Sequence, residues 1–83
     1  MGVASWYRWR PGEAAAGPAL RRALQGRYEG RVVLVDGIRV RLTDWCQCYE
    51  GTPQERIIDL DRATFARIAE PDRGLVKVEV TIP

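Results

Sequence analysis

The residues most suited to chemistry lie in the middle of the chain, and Asp44 is the first of them. The alternating apolar residues Val40 and Leu42 predict a strand that delivers Asp44 to its end. Trp45 follows directly, and a carboxyl group held against apolar side chains keeps its proton more readily than one in water. Such a group can act as a general acid. The alternative is that Asp44 accepts backbone hydrogen bonds in the loop after its strand, a common role for aspartate in turns.

Asp59 and two tryptophans are further candidates. Asp59 interrupts the apolar run Ile57–Leu60, where it either faces the same site as Asp44 or ties down the start of the next helix, and the structural role is favoured. Trp6 and Trp9 lie in an aromatic segment typical of a strand. Their rings are able to stack on the apolar faces of sugars, although core packing is the favoured interpretation for both.

Cys46 and Cys48 are separated by one residue. A structural zinc site needs four ligands, and the chain has no histidine and no further cysteine, so no metal site is predicted. Two reduced thiols are the expected state. A disulfide across one residue is the strained alternative, and it is favoured if the protein works outside a cell.

The elements that position these residues follow from local signals. Asp-Gly between two apolar runs predicts a type I′ hairpin, Gly17-Pro18 begins a helix, and Asp61 is a favoured N-cap. In chain order the pattern predicts a strand Val3–Trp9, a helix within Glu13–Gly26, a hairpin Gly30–Thr43 turning at Asp36-Gly37, a strand Ile57–Leu60, a helix from Asp61 that ends before Pro71, and a last strand Leu75–Ile82.

Length and composition exclude several classes of protein. The chain has 83 residues, which predicts one domain over residues 1–83. Its net charge is +2, with arginines interspersed among acidic residues, so no nucleic-acid-binding face is expected. No apolar run is long enough to enter a membrane, the first residues lack the pattern of a secretion signal, and no cofactor is predicted.

A family resemblance unites these motifs. Asp44-Trp-Cys-Gln-Cys, followed by Glu55-Arg-Ile-Ile-Asp-Leu-Asp-Arg-Ala, resembles the "DRGPF…GRIIDLSRAA" pattern of the rare-lipoprotein-A-like, expansin-related double-psi β-barrel. Ala4-Ser5-Trp6-Tyr7 is similar to the first strand of that family, "ASWYG". The resemblance covers nearly the whole chain, and the Ile-Ile-Asp-Leu-x-Arg-Ala motif is its most specific part.

The resemblance implies a fold and a site. The fold is mainly β, a small six-stranded double-psi barrel with two short helices. Asp44 matches the family aspartate that lies in the glycan groove and is taken as the catalytic acid, which would protonate a glycosidic oxygen. The family histidine, expected near Ala16 or Gly17, is missing. The candidate glycan-binding residues are Trp6, Trp9, Glu13, Trp45 and Asp59, of which Glu13 falls loosely at the place of a family glutamate.

Two functions are therefore expected from the sequence. The first is a module that binds peptidoglycan glycan strands outside the cell or in the cell wall and resembles a lytic transglycosylase, with binding expected more than cleavage because the histidine is absent. The alternative is a non-catalytic structural component of a larger assembly, such as a phage tail or virion, with neighbouring protein subunits as its partners.

Overall fold

The computed structural model describes residues 1–83. The secondary structure consists of seven strands, two short α-helices and one 3₁₀ turn. In chain order these are β1 (Gly2–Tyr7), β2 (Glu13–Ala16), α1 (Pro18–Ala23), β3 (Val32–Val35), β4 (Ile38–Trp45), β5 (Ile58–Asp61), α2 (Arg62–Ala66), the 3₁₀ turn Pro71–Arg73, β6 (Val76–Val78) and β7 (Val80–Thr81).

The end of the chain closes the sheet into a barrel. The strands follow the order β6-β1-β5-β2-β4-β3-β7, so β6 and β7 lie at opposite edges. Only Glu79 separates them in sequence, and its backbone exchanges two hydrogen bonds with Asp36: Asp36 N donates to Glu79 O at 2.9 Å, and Glu79 N donates to Asp36 Oδ1 at 2.8 Å. One continuous segment therefore joins both edges, and the predicted last strand is two strands, which gives seven rather than six.

Local turn and cap chemistry fixes two of the elements as predicted. Asp36 and Gly37 have φ values of 48° and 82°, the pair of positive angles that a type I′ turn requires. Asp61 precedes α2 and accepts a hydrogen bond from Thr64 N at 3.0 Å. Its other carboxylate oxygen accepts from Gly12 N at 3.1 Å, so a side chain that is only 1% exposed joins α2 to the loop between β1 and β2.

The segment Glu13–Ala16 is a central strand, whereas the sequence analysis predicted no strand between Trp9 and the helix that begins at Gly17-Pro18. It pairs antiparallel with β5 and parallel with β4. Its alanines are buried because their small side chains let the neighbouring strands pack closely. The helix begins at Pro18, after Gly17, as predicted. Gly17 N donates to Ile57 O at 2.9 Å, which anchors the helix start to the chain before β5.

The barrel interior is apolar and well filled. Leu42, Ile58, Leu60 and Phe65 are 0% exposed, and burial of each such side chain stabilises the fold by roughly 1.5–3 kcal/mol. Phe65 is the residue by which α2 packs on the barrel. The remaining interior side chains are Ala4, Ala14, Ala16, Leu20, Leu24, Val33, Val35, Val40 and Val78.

Candidate functional site

A β-bulge in β4 decides where Asp44 points. Leu42 pairs with Ala14 and Asp44 pairs with Ala15, so Thr43 is an extra residue in β4. In a regular strand Leu42 and Asp44 would lie on the same face. The extra residue reverses this alternation: Leu42 is in the core, and Asp44 lies with Ala15 on the outer face of the barrel. Bulges often redirect a side chain in this way near functional sites.

The bulge places Asp44 in one row with three other residues. Ser5 pairs with Asp59, Asp59 pairs with Ala15, and Ala15 pairs with Asp44. Directly paired residues share a face of a sheet, with Cβ atoms about 5 Å apart. Two carboxyl groups therefore stand on either side of one alanine. We call this row of Ser5, Asp59, Ala15 and Asp44 the acidic face.

Tyr7 reaches across the acidic face from β1 to β4. Its hydroxyl donates to Asp44 Oδ2 at 3.2 Å, although β5 and β2 lie between the two strands. Trp45 N donates to Asp44 Oδ1 at 2.9 Å. Each carboxylate oxygen of Asp44 thus has one donor, which fixes the orientation of the group. One of the two donors is a backbone N–H, as in the alternative predicted for Asp44, although Trp45 belongs to β4 and not to the loop after it.

A hydrogen-bonded aromatic cluster continues from Tyr7. Its ring stacks on Trp9 with centroids 5.5 Å apart and 13° between the planes. Trp9 Nε1 donates to Thr43 Oγ1 at 3.0 Å, and Thr43 Oγ1 donates to Glu13 Oε1 at 2.8 Å. Arg10 Nε donates to the same oxygen of Glu13 at 2.9 Å. The structure therefore brings Trp9, Glu13 and Asp44 together at one end of the barrel.

Burial changes the proton affinity of two groups here. It raises the pKa of Asp59 above the ordinary value of 3.8, while the hydrogen bond from Ser5 Oγ, 3.1 Å from Asp59 Oδ1, and the charge of Arg56 act in the opposite direction. Burial also raises the pKa of Tyr7 above 10.0, and the charge of Asp44 and the hydrogen bond to it add to this effect. Tyr7 consequently remains a hydroxyl donor, and the Asp59 carboxyl group holds its proton more strongly than an aspartate in water.

Comparison with known proteins identifies the family. The family model described as "Lytic transglycolase" matches residues 1–80. The chain belongs to this lytic transglycolase family. The resemblance read from the sequence and the nearly closed barrel agree with this assignment, and the family is associated with cell walls. Comparisons with curated proteins and with solved structures found no significant match. No helix of this lytic transglycolase domain is long and apolar enough to cross a membrane.

Two of the tryptophans predicted to bind glycan, Trp6 and Trp45, lie apart from the row that contains Asp44. Trp6 alternates away from Tyr7, packs against the core and donates from Nε1 to Pro71 O at 2.7 Å. The structure therefore does not bring its indole to Asp44. Trp45 is 57% exposed, and the Arg21 guanidinium lies 5.2 Å from its ring centroid. Trp45 pairs with Ala16 rather than with Ala15, so its ring points away from the acidic face and toward α1, and the structure does not place it beside Asp44.

Cys46 and Cys48 form a disulfide, whereas free thiols were the expected state. The chain is bent rather than extended here, since Cys48 has a φ of 49°, and the two Cα atoms lie 5.0 Å apart, within the usual range for a disulfide. The bridge borders a cavity of about 250 Å³, which we call the disulfide cleft. Its lining residues are Ser5, Trp6, Cys46, Cys48, Tyr49, Arg56 and Asp59.

Sequence reasoning did not select Tyr7, Thr43 or Arg56. Tyr7 could have been found, because alternation in β1 places it on the face opposite Trp6. Nothing local identifies Thr43 as a bulge residue, and Arg56 is one arginine among many. No three histidine, cysteine or carboxylate side chains lie close enough together in this lytic transglycolase domain to hold a metal ion.

Proposed function

We propose that this domain binds the glycan strands of peptidoglycan across the acidic face, at the cell wall and outside the cell. The observation that carries the proposal is the bulge at Thr43. It turns Asp44 out of the core and into line with Asp59. Membership of the lytic transglycolase family supports the choice of a wall glycan as the ligand.

The chemistry of the face suits a carbohydrate. Sugars present hydroxyl donors along their edges, and the carboxyl oxygens of Asp44, Asp59 and Glu13 are acceptors for them. Sugars also have apolar faces, and the Tyr7–Trp9 pair provides partly exposed aromatic rings. A glycan chain that runs from Asp59 past Asp44 to Trp9 would meet both kinds of contact.

The same face provides a carboxyl group for cleavage. We assign Asp44 as the catalytic residue, at the position that matches the family aspartate. Its protonated form would give a proton to the glycosidic oxygen as the bond from that oxygen to the anomeric carbon breaks. A hydroxyl of the same sugar would attack that carbon and return its proton to Asp44. One carboxyl group can serve both steps, whereas hydrolysis normally uses two.

Binding and cleavage are separable because the chain has no histidine. Loss of a partner group usually lowers a rate by orders of magnitude, whereas contacts to sugar hydroxyls and ring faces need no such partner. Glycan binding is therefore the primary proposal, and cleavage through Asp44 is its extension.

The test uses purified peptidoglycan sacculi. The wild-type protein, Asp44→Asn and the matched control Asp72→Asn, an exposed aspartate in the 3₁₀ turn, are mixed with sacculi. Bound protein is measured by co-sedimentation, and released anhydro-muropeptides are measured by mass spectrometry. Release that is lost only in Asp44→Asn supports cleavage, and binding without release supports a wall-binding module. If the wild-type protein shows no binding and no release, the proposal is overturned, and the structural role in a larger assembly is the one that is left.

A further inference from the structure

Arg56 carries the most conspicuous unused polar group in the molecule. Its Nε and Nη1 atoms are buried and have no hydrogen-bond acceptor in the protein. The side chain also forms no ion pair within 4.0 Å. Buried guanidinium groups are normally paired, because removal from water without a partner costs free energy. The unpaired state therefore indicates that Arg56 has a partner outside this chain.

The position of Arg56 limits what that partner is. Arg56 lines the disulfide cleft beside Ser5 and Asp59, so the cleft opens onto the acidic face at the end opposite Asp44. The Tyr49 ring centroid lies 4.1 Å from the centre of the guanidinium group, and Tyr49 is itself 62% exposed. Tyr49 lies in the loop after β4, so a rotation of its ring that uncovers the guanidinium group would involve no strand of the barrel.

The charge in the cleft suits an anionic group. A guanidinium group binds a carboxylate through two parallel N–H donors, which is its preferred pairing. Asp59 is the only carboxyl group that lines the cleft, and burial raises its pKa above the ordinary value of 3.8. Its side chain is already engaged by Ser5 Oγ at 3.1 Å, which leaves the Arg56 donors unused.

We propose that the disulfide cleft is a subsite for a carboxylate group of the bound glycan, held by the Arg56 guanidinium. This inference rests on the proposed function and makes it more specific, because neutral sugars such as those of chitin carry no carboxylate. Peptidoglycan has two sources of this group: the lactyl carboxylate of muramic acid residues that lack a peptide, and the free carboxylates of the peptides themselves.

The glycan test compares three ligands by calorimetric titration: a chitin oligosaccharide, a peptide-free muramic acid glycan and a peptide-bearing glycan. Arg56→Gln should weaken binding of a carboxylate-bearing ligand by about 10- to 100-fold and leave the chitin oligosaccharide within about threefold. Arg56→Lys should fall between, since it keeps the charge but not the paired donors. Arg67→Gln, which removes an exposed arginine next to α2, should change the affinity neither for the carboxylate-bearing ligands nor for the chitin oligosaccharide.

The three ligands also distinguish the two sources of carboxylate. A loss confined to the peptide-free glycan assigns the lactyl carboxylate, and a loss confined to the peptide-bearing glycan assigns the peptides. Equal losses for chitin and peptidoglycan ligands overturn the proposal, as does an Arg56→Gln protein that binds all three like wild type.

A second measurement keeps the subsite testable if no glycan binds and the proposed function fails. Lactate is added to the ¹⁵N-labelled wild-type protein, and the Nε–H signal of Arg56, identified by its absence in Arg56→Gln, is followed by NMR. A saturable shift of this signal, without one for Arg67, supports the subsite on its own. No shift up to about 0.1 M lactate, a concentration that would detect even millimolar binding, overturns it.

Discussion

Asp61 is the residue whose loss should reveal how the site is held in place. Its carboxylate is 1% exposed and accepts from Thr64 N at 3.0 Å and from Gly12 N at 3.1 Å. The first bond caps α2. The second holds the loop that leads into Glu13, and so supports the cluster beside Asp44. Asp61→Ala removes both acceptors at once and leaves two backbone N–H groups without partners.

The expected loss of stability is the sum of the costs of losing these two hydrogen bonds. Removal of an N-cap side chain costs about 0.5–2 kcal/mol, and an unsatisfied buried donor costs about 1–3 kcal/mol. Asp61→Ala should therefore lower the free energy of unfolding by roughly 2–4 kcal/mol, since part of each cost is relieved by relaxation. For a chain of this size the midpoint of thermal unfolding should fall by roughly 8–32 °C, at about 4–8 °C per kcal/mol.

The assay is urea unfolding followed by tryptophan fluorescence and far-UV circular dichroism. Asp61→Asn is the informative companion, because its carbonyl oxygen still accepts one hydrogen bond while its amide group faces the other donor. It should lose about half as much stability as Asp61→Ala, and the surface control Asp72→Asn should stay within about 0.5 kcal/mol of wild type. A loss below about 0.5 kcal/mol for Asp61→Ala, or an equal loss for alanine and asparagine, would refute this account of the cap.

Two further predictions concern the chain next to the site. Gly17→Ala should lower the free energy of unfolding by about 3 kcal/mol or more, because the added Cβ would clash with the carbonyl oxygens of Arg56 and Ile57, the latter only 2.7 Å away. Urea unfolding compares this variant with Gly26→Ala, where the added Cβ meets open space and only the φ of 79° opposes the alanine. Equal losses of unfolding free energy in the two variants would contradict the clash. Asp59→Asn should flatten the pH dependence of stability. The pKa of Asp59 in the folded protein lies above the ordinary value of 3.8. The stabilisation that Asp59 contributes to the folded state is therefore complete below pH 3.8 and is lost as the pH rises through the folded pKa. Urea midpoints between pH 3 and 7 (roughly the span of the raised titration) decide the matter, and identical pH slopes for wild type and variant would count against it.

Local chemistry explains which elements could be predicted from the sequence. The Asp36-Gly37 turn and the Asp61 cap depend on a few neighbouring residues, and both are present as predicted. Glu13–Ala16 was missed because alanine has little preference for strands, and this strand exists only because β5 and β4 lie on either side of it. Pairing with strands distant in sequence makes this segment a strand, and no pattern within the segment itself indicates that pairing.

The candidate site shows the same division. Asp44, Trp9 and Glu13 were selected from the sequence and lie together in the structure. Alternation alone would have directed Asp44 to the same side as Leu42, and one extra residue at Thr43 reverses that result. The row that joins Asp44 to Asp59 is a product of strand order, as is the cleft that contains Arg56. Such features depend on which strands become neighbours, and a single sequence does not specify this locally.

The way the barrel closes has a consequence for biosynthesis. Residues 76–81 pair with β1, the first strand of the barrel, and with β3. While the ribosome still holds this segment, β1 and β3 both present unpaired backbone groups, and open strand edges of this kind pair readily with other chains. The nascent barrel is therefore most vulnerable to aggregation in the interval after β3 has emerged and before residues 76–81 emerge. A chaperone that shields exposed strand edges would find its binding sites on this protein during that interval.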